Sequence, residues 1–461
     1  MADDRNKHLA WLRLDKGEEK ALEALNQDYL KYLNQVKTER ESMAYTEDLA
    51  GQHGFKDFTK VKKLKAGDKV YIKDKGKVIS LIVVGKRPLS EGVNIVAAHA
   101  DAPRIDLKPN PLYEGDNMAL MKTHYYGGIK KYQWTTMPLA LHGVFYRGDG
   151  SCLDVVIGEN EDDPVFTISD LLPHLAKEQM EKKMSEAISG EALNILAGSK
   201  PAAGEDKDTF LTNLRQILSE LYGLEDEDFA SAEVEMVPVH KAREVGLDRS
   251  MIGGYGQDDR VSVFTGLKAI LEVKNPSRTS IMVCIDKEEI GSVGNTGLDS
   301  LYLENLVVKL AEKLGITSYP EVRQALMNSA ALSADVNAAI DPNYPDAFDK
   351  RNDSFLGQGV VVTKYTGSRG KSESNDANPE FVSRIRRLFN ENNVVWQVGE
   401  LGKVDIGGGG TVAMFMARYG MDVLDCGVAL LSMHAPYEVA SKVDVYEAYK
   451  GYKVFFQHYD Y

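Results

Sequence analysis

Several apolar or glycine-flanked stretches of this chain run into an acid or a histidine, and that repeated ending constrains its fold more than any other feature. The stretches read AAHADAPR around His99, GQDDR around Asp258, CIDKEEIGS around Glu288 and Glu289, SADV around Asp335 and LLSMHAPYE around His434. Open α/β sheets gather their chemistry at the carboxyl ends of buried strands, so the pattern points to an α/β fold with these side chains at one edge. Two histidines, two separately placed aspartates and an adjacent glutamate pair also supply the ligands for two zinc-type ions sharing a bridging carboxylate. One glutamate is then left over as a base.

The surrounding sequence supports that layout. Apolar positions at helical spacing run from about Leu9 to Val36, the charged KTERES reads as a break, and a second helix spans Met43 to His53. KVYIKDKGKVISLIVVG alternates through a Lys-Gly turn and predicts a β-hairpin. VNIVAAHA, SIMVCID, SAALSADV and DVLDCGVALLSMH read as buried strands ending at His99, the glutamate pair, Asp335 and His434. From about Asp106 to Gly246 the chain is more polar, is broken by the loops GENEDDP and SKPAAGEDKD, and holds none of the candidate residues. HGVFYRG and LDVVIG predict strands there, and FLTNLRQILSELYG an amphipathic helix. This middle part reads as an inserted domain, giving 1–105 and 247–461 as one domain and 106–246 as another.

A chain of 461 residues exceeds what one core usually serves, in keeping with two domains. Its net charge of -14 argues against nucleic acid or an anionic membrane as partner. No run is long and apolar enough to span a bilayer, and the N-terminal MADDRNKHLAWLRLDKGEEK lacks the apolar core of a signal peptide. The 3 cysteines, Cys152, Cys284 and Cys426, lie far apart, as reduced thiols of a cytoplasmic protein would.

Each candidate has a plain structural reading beside the chemical one. His99 lies two positions before Asp101, whose carboxylate can accept the second imidazole N–H and fix the tautomer that ligates metal. Asp258 and Asp259 precede an apolar helix starting near Val261, so Asp258 is either an N-cap or a bridging ligand held at that position. Glu288 and Glu289 at the mouth of a buried strand repel each other unless a cation neutralises them. Adjacent residues diverge, so one can ligate while the other faces the attacking water. Of the 9 histidines, only His99 and His434 have this setting, and His8, His53, His124, His142, His174, His240 and His458 read as structural or surface residues. TGSRGKS is not a phosphate loop, because Tyr365 stands where its first glycine is required. The glycines Gly407 to Gly410 suit close backbone approach to a substrate or a neighbouring strand.

In this order, the motifs resemble the aspartyl aminopeptidase family of dinuclear zinc metallopeptidases over nearly the whole chain. They include His-x-Asp-x-Pro at His99, YGGI at Tyr126 to Ile129, the Asp-Asp loop, Glu-Glu-Ile-Gly-Ser, Ser-Ala-Asp and Met-His. The resemblance implies a mixed-sheet α/β/α zinc-peptidase-like catalytic domain, an inserted β-rich dimerisation domain and a homododecamer built from dimers. It implies two divalent ions per chain, zinc first, with cobalt or manganese able to occupy one site. It assigns His99, Asp258 and Asp335 to one ion, and Asp258, Glu289 and His434 to the other, with Glu288 as general base. The expected activity is removal of the first residue from peptides with a free N-terminus. The alternatives are a related amidohydrolase or deacylase and a catalytically silent scaffold. The chain departs from the family at Asn337 and Ala338, after the metal aspartate, and in KKYQWTTMPLA, which keeps Trp134 and Leu139 but loses charges. A lysine credited in the family with attracting acidic side chains aligns with Gln358, which supplies no charge. Neutral first residues are therefore expected to be cleaved at least as well as acidic ones.

Overall fold

A computed structural model describes residues 9–204 and 207–460. The chain divides into two compact units. One comprises the chain up to Asp101, Ala242–Met433 and the chain from Tyr437 onward, and the other comprises Ala102–Lys241 with His434–Pro436. The strand Arg104–Gly115 belongs to the second unit's sheet, and Arg243–Val245 pairs with Met251–Gly254 in the first. The boundaries therefore fall a few residues before those expected from composition, which responds to loops and not to strand pairing.

The first unit is built on a 9-stranded sheet. Its centre is four neighbouring parallel strands in the order Thr279–Ile285, Val93–His99, Ala330–Ser333 and Asp422–Gly427. Thr279 pairs with Val93 and Ile285 with His99, so these two strands end level. Antiparallel strands flank the parallel core. Val78–Val83 joins on one side as half of the hairpin with Lys69–Asp74, and Val360–Thr363 joins on the other, followed by Trp396–Val398.

The strands are buried on both faces, and successive side chains enter different cores, as a period of two requires. Val96 and Ala98 pack with the helices Lys16–Gln35, Gln257–Glu272, Pro379–Glu391 and Lys442–His458, while Ile95 and Ala97 pack with Tyr302–Lys313 and Tyr319–Met327. The result is a three-layer α/β/α arrangement. A smaller 5-stranded sheet, from Arg243–Val245 to Asn337–Ala338, completes the unit.

The first long amphipathic stretch divides into a short turn at Ala10–Arg13 and the helix Lys16–Gln35, started by a capping box between Asp15 and Glu18. The break is shorter than KTERES and runs only from Val36 to Thr38. Thr38 accepts the N–H of Glu41, whose side chain returns to the Thr38 N–H, and the second helix starts at Glu39.

The second unit carries a 6-stranded antiparallel sheet in the order Cys152–Ile157, Leu139–Tyr146, Ala232–Pro238, Arg104–Gly115, Met118–Tyr126, Ile195–Gly198. The predicted amphipathic helix is Thr209–Ile217, which widens into a π turn over Leu218–Tyr222. No described helix is long and apolar enough to cross a membrane.

Candidate metal centre

The ends of the parallel strands bring His99, Glu288, Glu289 and Asp335 together, and the start of the helix Gln257–Glu272 adds Asp258. His99 is the last residue of its strand and is buried. Its Nε2 lies 3.3 Å from Asp258 Oδ1, 3.8 Å from Asp335 Oδ1 and 3.9 Å from Glu288 Oε2. Its Nδ1 is 3.0 Å from the main-chain oxygen of Asp101 and 3.4 Å from the Asp101 carboxylate. The imidazole is thus held from behind, and Nε2 faces the acids.

Asp101 has a second task that its spacing from His99 does not disclose. Its two carboxylate oxygens accept the N–H groups of Glu288 and Glu289 at 3.2 and 3.1 Å. The glutamate pair follows Lys287, whose backbone is left-handed (φ 71°), and forms one turn ending at Gly291. The carboxylate of Asp101 therefore ties the end of one strand to the turn after the next.

Asp258 is not an ordinary helix cap. Gly256 is left-handed, and Asp258 and Asp259 have non-helical backbones ahead of the regular helix. The N–H of Asp258 donates to Glu438 Oε2 at 3.1 Å. Glu438 is buried at the end of the LLSMHAPYE stretch, and its main-chain oxygen accepts the side chain of Gln257 at 2.7 Å.

Ligating atoms of His99, Asp258 and Asp335 all lie within 4.8 Å of one another, as do those of His99, Glu288 and Glu289, and so do carboxylate oxygens of Asp258 and Glu289. So many acids in one buried place is electrostatically expensive. Burial works against a charged imidazole, yet the carboxylates of Asp101, Asp258 and Glu288 carry His99 well above its ordinary pKa. Burial raises Asp335 well above the carboxylate range, with His99 opposing and Glu288, Asp258 and Asp425 adding to the rise. Burial raises Asp259 likewise, with the charge of Asp335 next in importance. A divalent cation relieves this crowding, and imidazole with carboxylate oxygens is a donor set that zinc accepts.

His434 belongs to the second unit by its packing. Its Nδ1 lies 2.8 Å from the main-chain oxygen of Gly128, in the YGGI segment. Gln358 lines a cavity of about 400 Å³ with Arg13, Arg351, Asp353 and Gln397, among others, and none of the metal-group residues lines it. Asn337 donates to Thr363 Oγ1 at 2.7 Å. TGSRGKS is a tight turn in which Ser368 and Ser372 exchange main-chain hydrogen bonds. A Cβ on Gly407 or Gly408 would strike the backbone of Leu401 or Ser368, so these two glycines serve close approach within the chain. His53, His124 and His142 each have a local partner, while His8 lies outside the described residues.

A three-layer α/β unit whose strand ends converge on histidine and carboxylates defines a metal-dependent hydrolase. The chain belongs to the M18 family of aminopeptidase I zinc metalloproteases, whose profile matches residues 32–456. It is 50% identical over 451 residues to a probable M18 family aminopeptidase 1 of Clostridium acetobutylicum, covering 97% of each chain. The crystal structure of an M18 aminopeptidase from Thermotoga maritima superimposes with a TM-score of 0.94 at 44% identity, covering 97% of this chain and 98% of that one. The S. cerevesiae mApe1 dodecamer, at 21% identity and a TM-score of 0.75 over 94% of this chain and 96% of that one, shares the fold. The protein is a zinc-dependent aminopeptidase, a hydrolase acting on peptides.

Proposed function

We propose that the centre holds two divalent ions, zinc by family, with His99, Asp258 and Asp335 binding one and Asp258, Glu289 and His434 the other. Asp258 then bridges, and Glu288 is the general base. The observation that carries this reading is the convergence of Asp258, Asp335 and Glu288 on His99 Nε2, at 3.3 to 3.9 Å. The ions would polarise the scissile carbonyl and lower the pKa of water. Asp101 orients His99 and, through its bonds to the Glu288 and Glu289 N–H groups, presents both glutamates to the same point. Glu289 ligates, and Glu288 takes the proton of the attacking water and returns it to the leaving amine.

Substitution separates these roles. Glu288→Gln is expected to keep about two zinc ions per chain by elemental analysis and to lower kcat at least ~10²-fold. Asp258→Ala is expected to strip metal. A Glu288→Gln protein that loses its zinc would reverse the roles given to Glu288 and Glu289.

The substrates of this reading are peptides with a free N-terminus, hydrolysed in the cytoplasm. With Gln358 in place of a lysine, neutral first residues are cleaved at least as well as acidic ones. Comparing kcat/KM for Asp-, Glu-, Leu- and Ala-peptides tests this, and a preference for Asp above about tenfold, roughly 1.4 kcal/mol, would defeat it. N-acetylated peptides are expected to be inert, which separates an aminopeptidase from a deacylase. Assembly is read as a homododecamer of dimers paired through the inserted unit, consistent with the apolar side chains exposed there at Leu171, Leu172, Leu175, Met180 and Met184.

A further inference from the structure

The glutamate turn rests on a second group of charges that takes no part in the chemistry described so far. Asp286, at the end of its strand and 1% exposed, accepts Lys287 Nζ at 2.8 Å and Thr296 Oγ1 at 2.8 Å on the same oxygen. Lys287 Nζ also lies 2.7 Å from Thr296 Oγ1, closing a three-membered ring of polar contacts. The N–H of Asp286 donates to the Thr296 main-chain oxygen at 3.3 Å. Behind them Lys77 Nζ lies 3.7 Å from the same Asp286 oxygen and 2.8 Å from Glu39 Oε1, and both Lys77 and Glu39 are buried. The aliphatic stem of Lys287 lies against Gly294, where a Cβ would stand 3.0 Å from Lys287 Cδ.

Two lysines thus balance two carboxylates, with Lys77, Glu39 and Asp286 buried and Lys287 half-buried. Buried ion pairs add little stability over well-packed apolar residues of the same volume, so their use is sought in geometry. Their geometry is specific here. Lys287 is the left-handed residue from which the Glu288–Ile290 turn departs, and its main-chain oxygen accepts the N–H groups of Ile290 and Ser292. Its side chain folds back to Asp286 and Thr296, so it cannot turn toward the glutamates. Asp101 grips the turn by the N–H groups of the glutamates, and the Asp286 ring grips it by the residue before them.

We propose that Asp286, Lys287 and Thr296, backed by Lys77 and Glu39, are positioning residues of the hydrolytic reaction. They fix the direction in which Glu288, the residue directly after Lys287, leaves the chain. The proposal rests on the reading of Glu288 as base and Glu289 as ligand. Catalytic groups lose rate steeply when misplaced by fractions of an ångström, while ground-state binding tolerates it.

The test uses the full-length zinc enzyme. Thr296→Val removes the linking hydroxyl with little change in volume, and Thr296→Ser restores it. Lys287→Met removes the ammonium and keeps the stem. Thr296→Val and Lys287→Met are each expected to lower kcat about tenfold or more, with KM within about twofold and zinc content unchanged. Thr296→Ser should stay close to the parent enzyme. The double variant Thr296→Val/Lys287→Met should be no slower than Lys287→Met by more than about twofold, because the two act as one unit. Should Lys287→Met fail to fold, the Thr296→Val and Thr296→Ser pair decides. A Thr296→Val kcat within twofold of the parent, or a loss matched by equal loss of zinc, overturns the proposal. Glu288→Gln measured alongside keeps the two readings apart. An active Glu288→Gln with a slow Thr296→Val refutes the base and leaves the support standing. An inactive Glu288→Gln with an unaffected Thr296→Val does the reverse.

Discussion

Asp425, on the strand beside the one that leads to Asp335, shows what burial alone does to a carboxylate near the site. One of its oxygens accepts the Thr411 hydroxyl at 2.7 Å, and the Ser333 hydroxyl stands as a second hydrogen-bonding neighbour. Burial pushes its pKa up to about 6, with the Thr411 hydroxyl opposing. The folded state then holds a proton that the unfolded chain releases from about pH 4 upward, so this group's contribution to stability is full below about pH 4 and is lost as pH rises to about 6. Asp425→Asn abolishes that dependence. Between pH 5 and 7 the parent protein is expected to lose about 1.4 kcal/mol relative to the variant in urea unfolding, and a difference that does not change with pH would rule this out. At this scale most of the residues that meet at the site stand out in the sequence because they end apolar runs, while Asp258 stands in a Gly-rich stretch ahead of a helix. Their supports were legible only in part, Asp101 by its spacing from His99 but not by the bonds it makes elsewhere. Asp101 meets the N–H groups of residues 187 and 188 positions away, and Glu438 meets Asp258 across 180. Contacts of that kind leave no local periodicity. Gln358 was placed by motif alignment alone, and its surroundings, with Arg13 and Arg351, depend on how the strand edge closes.

Among the elements, the strands that carry the site were legible from their apolar runs, and the hairpin from its Lys-Gly turn. KTERES holds the end of the break, at Lys37 and Thr38, and its charges mask the Thr-x-x-Glu signal that starts the next helix. DVLDCGVALLSMH looked like one strand but serves two sheets, as Asp422–Gly427 and Ala429–Leu431. Gly427 ends the first of these, and a Cβ there would lie 1.8 Å from the main-chain oxygen of Asp335. Its φ is not left-handed, so the obstacle to a side chain is this contact alone. Gly427→Ala must displace the backbone that presents Asp335. It is expected to cost about 1–3 kcal/mol of stability, as overpacking does, and to weaken zinc binding at least about tenfold in a chelator competition. A variant that binds zinc like the parent would show that Asp335 is not held by this approach.

For the molecule as a whole, the first unit packs its central strands into two main cores, and the inserted second unit carries a short stretch of apolar side chains in water. Leu175, Met180 and Met184 are each about two-thirds exposed or more, on a stretch with only one-turn helices at Lys177–Met180 and Met184–Ala187. Composition marked this region as polar and loop-rich, which hid the apolar residues among lysines and glutamates. An isolated domain of this size gains nothing from such exposure, and a second copy of the chain would bury it. A charge placed there would be harmless in a monomer and costly once desolvated in an interface. Leu175→Asp and Met180→Glu are therefore expected to shift light scattering at micromolar concentration from the proposed dodecamer toward smaller species. Zinc content per chain should be unchanged, because none of the metal-group residues lies in this segment. If the parent protein is itself a monodisperse monomer, the inserted unit does not dimerise and its exposed apolar stretch has some other occupant.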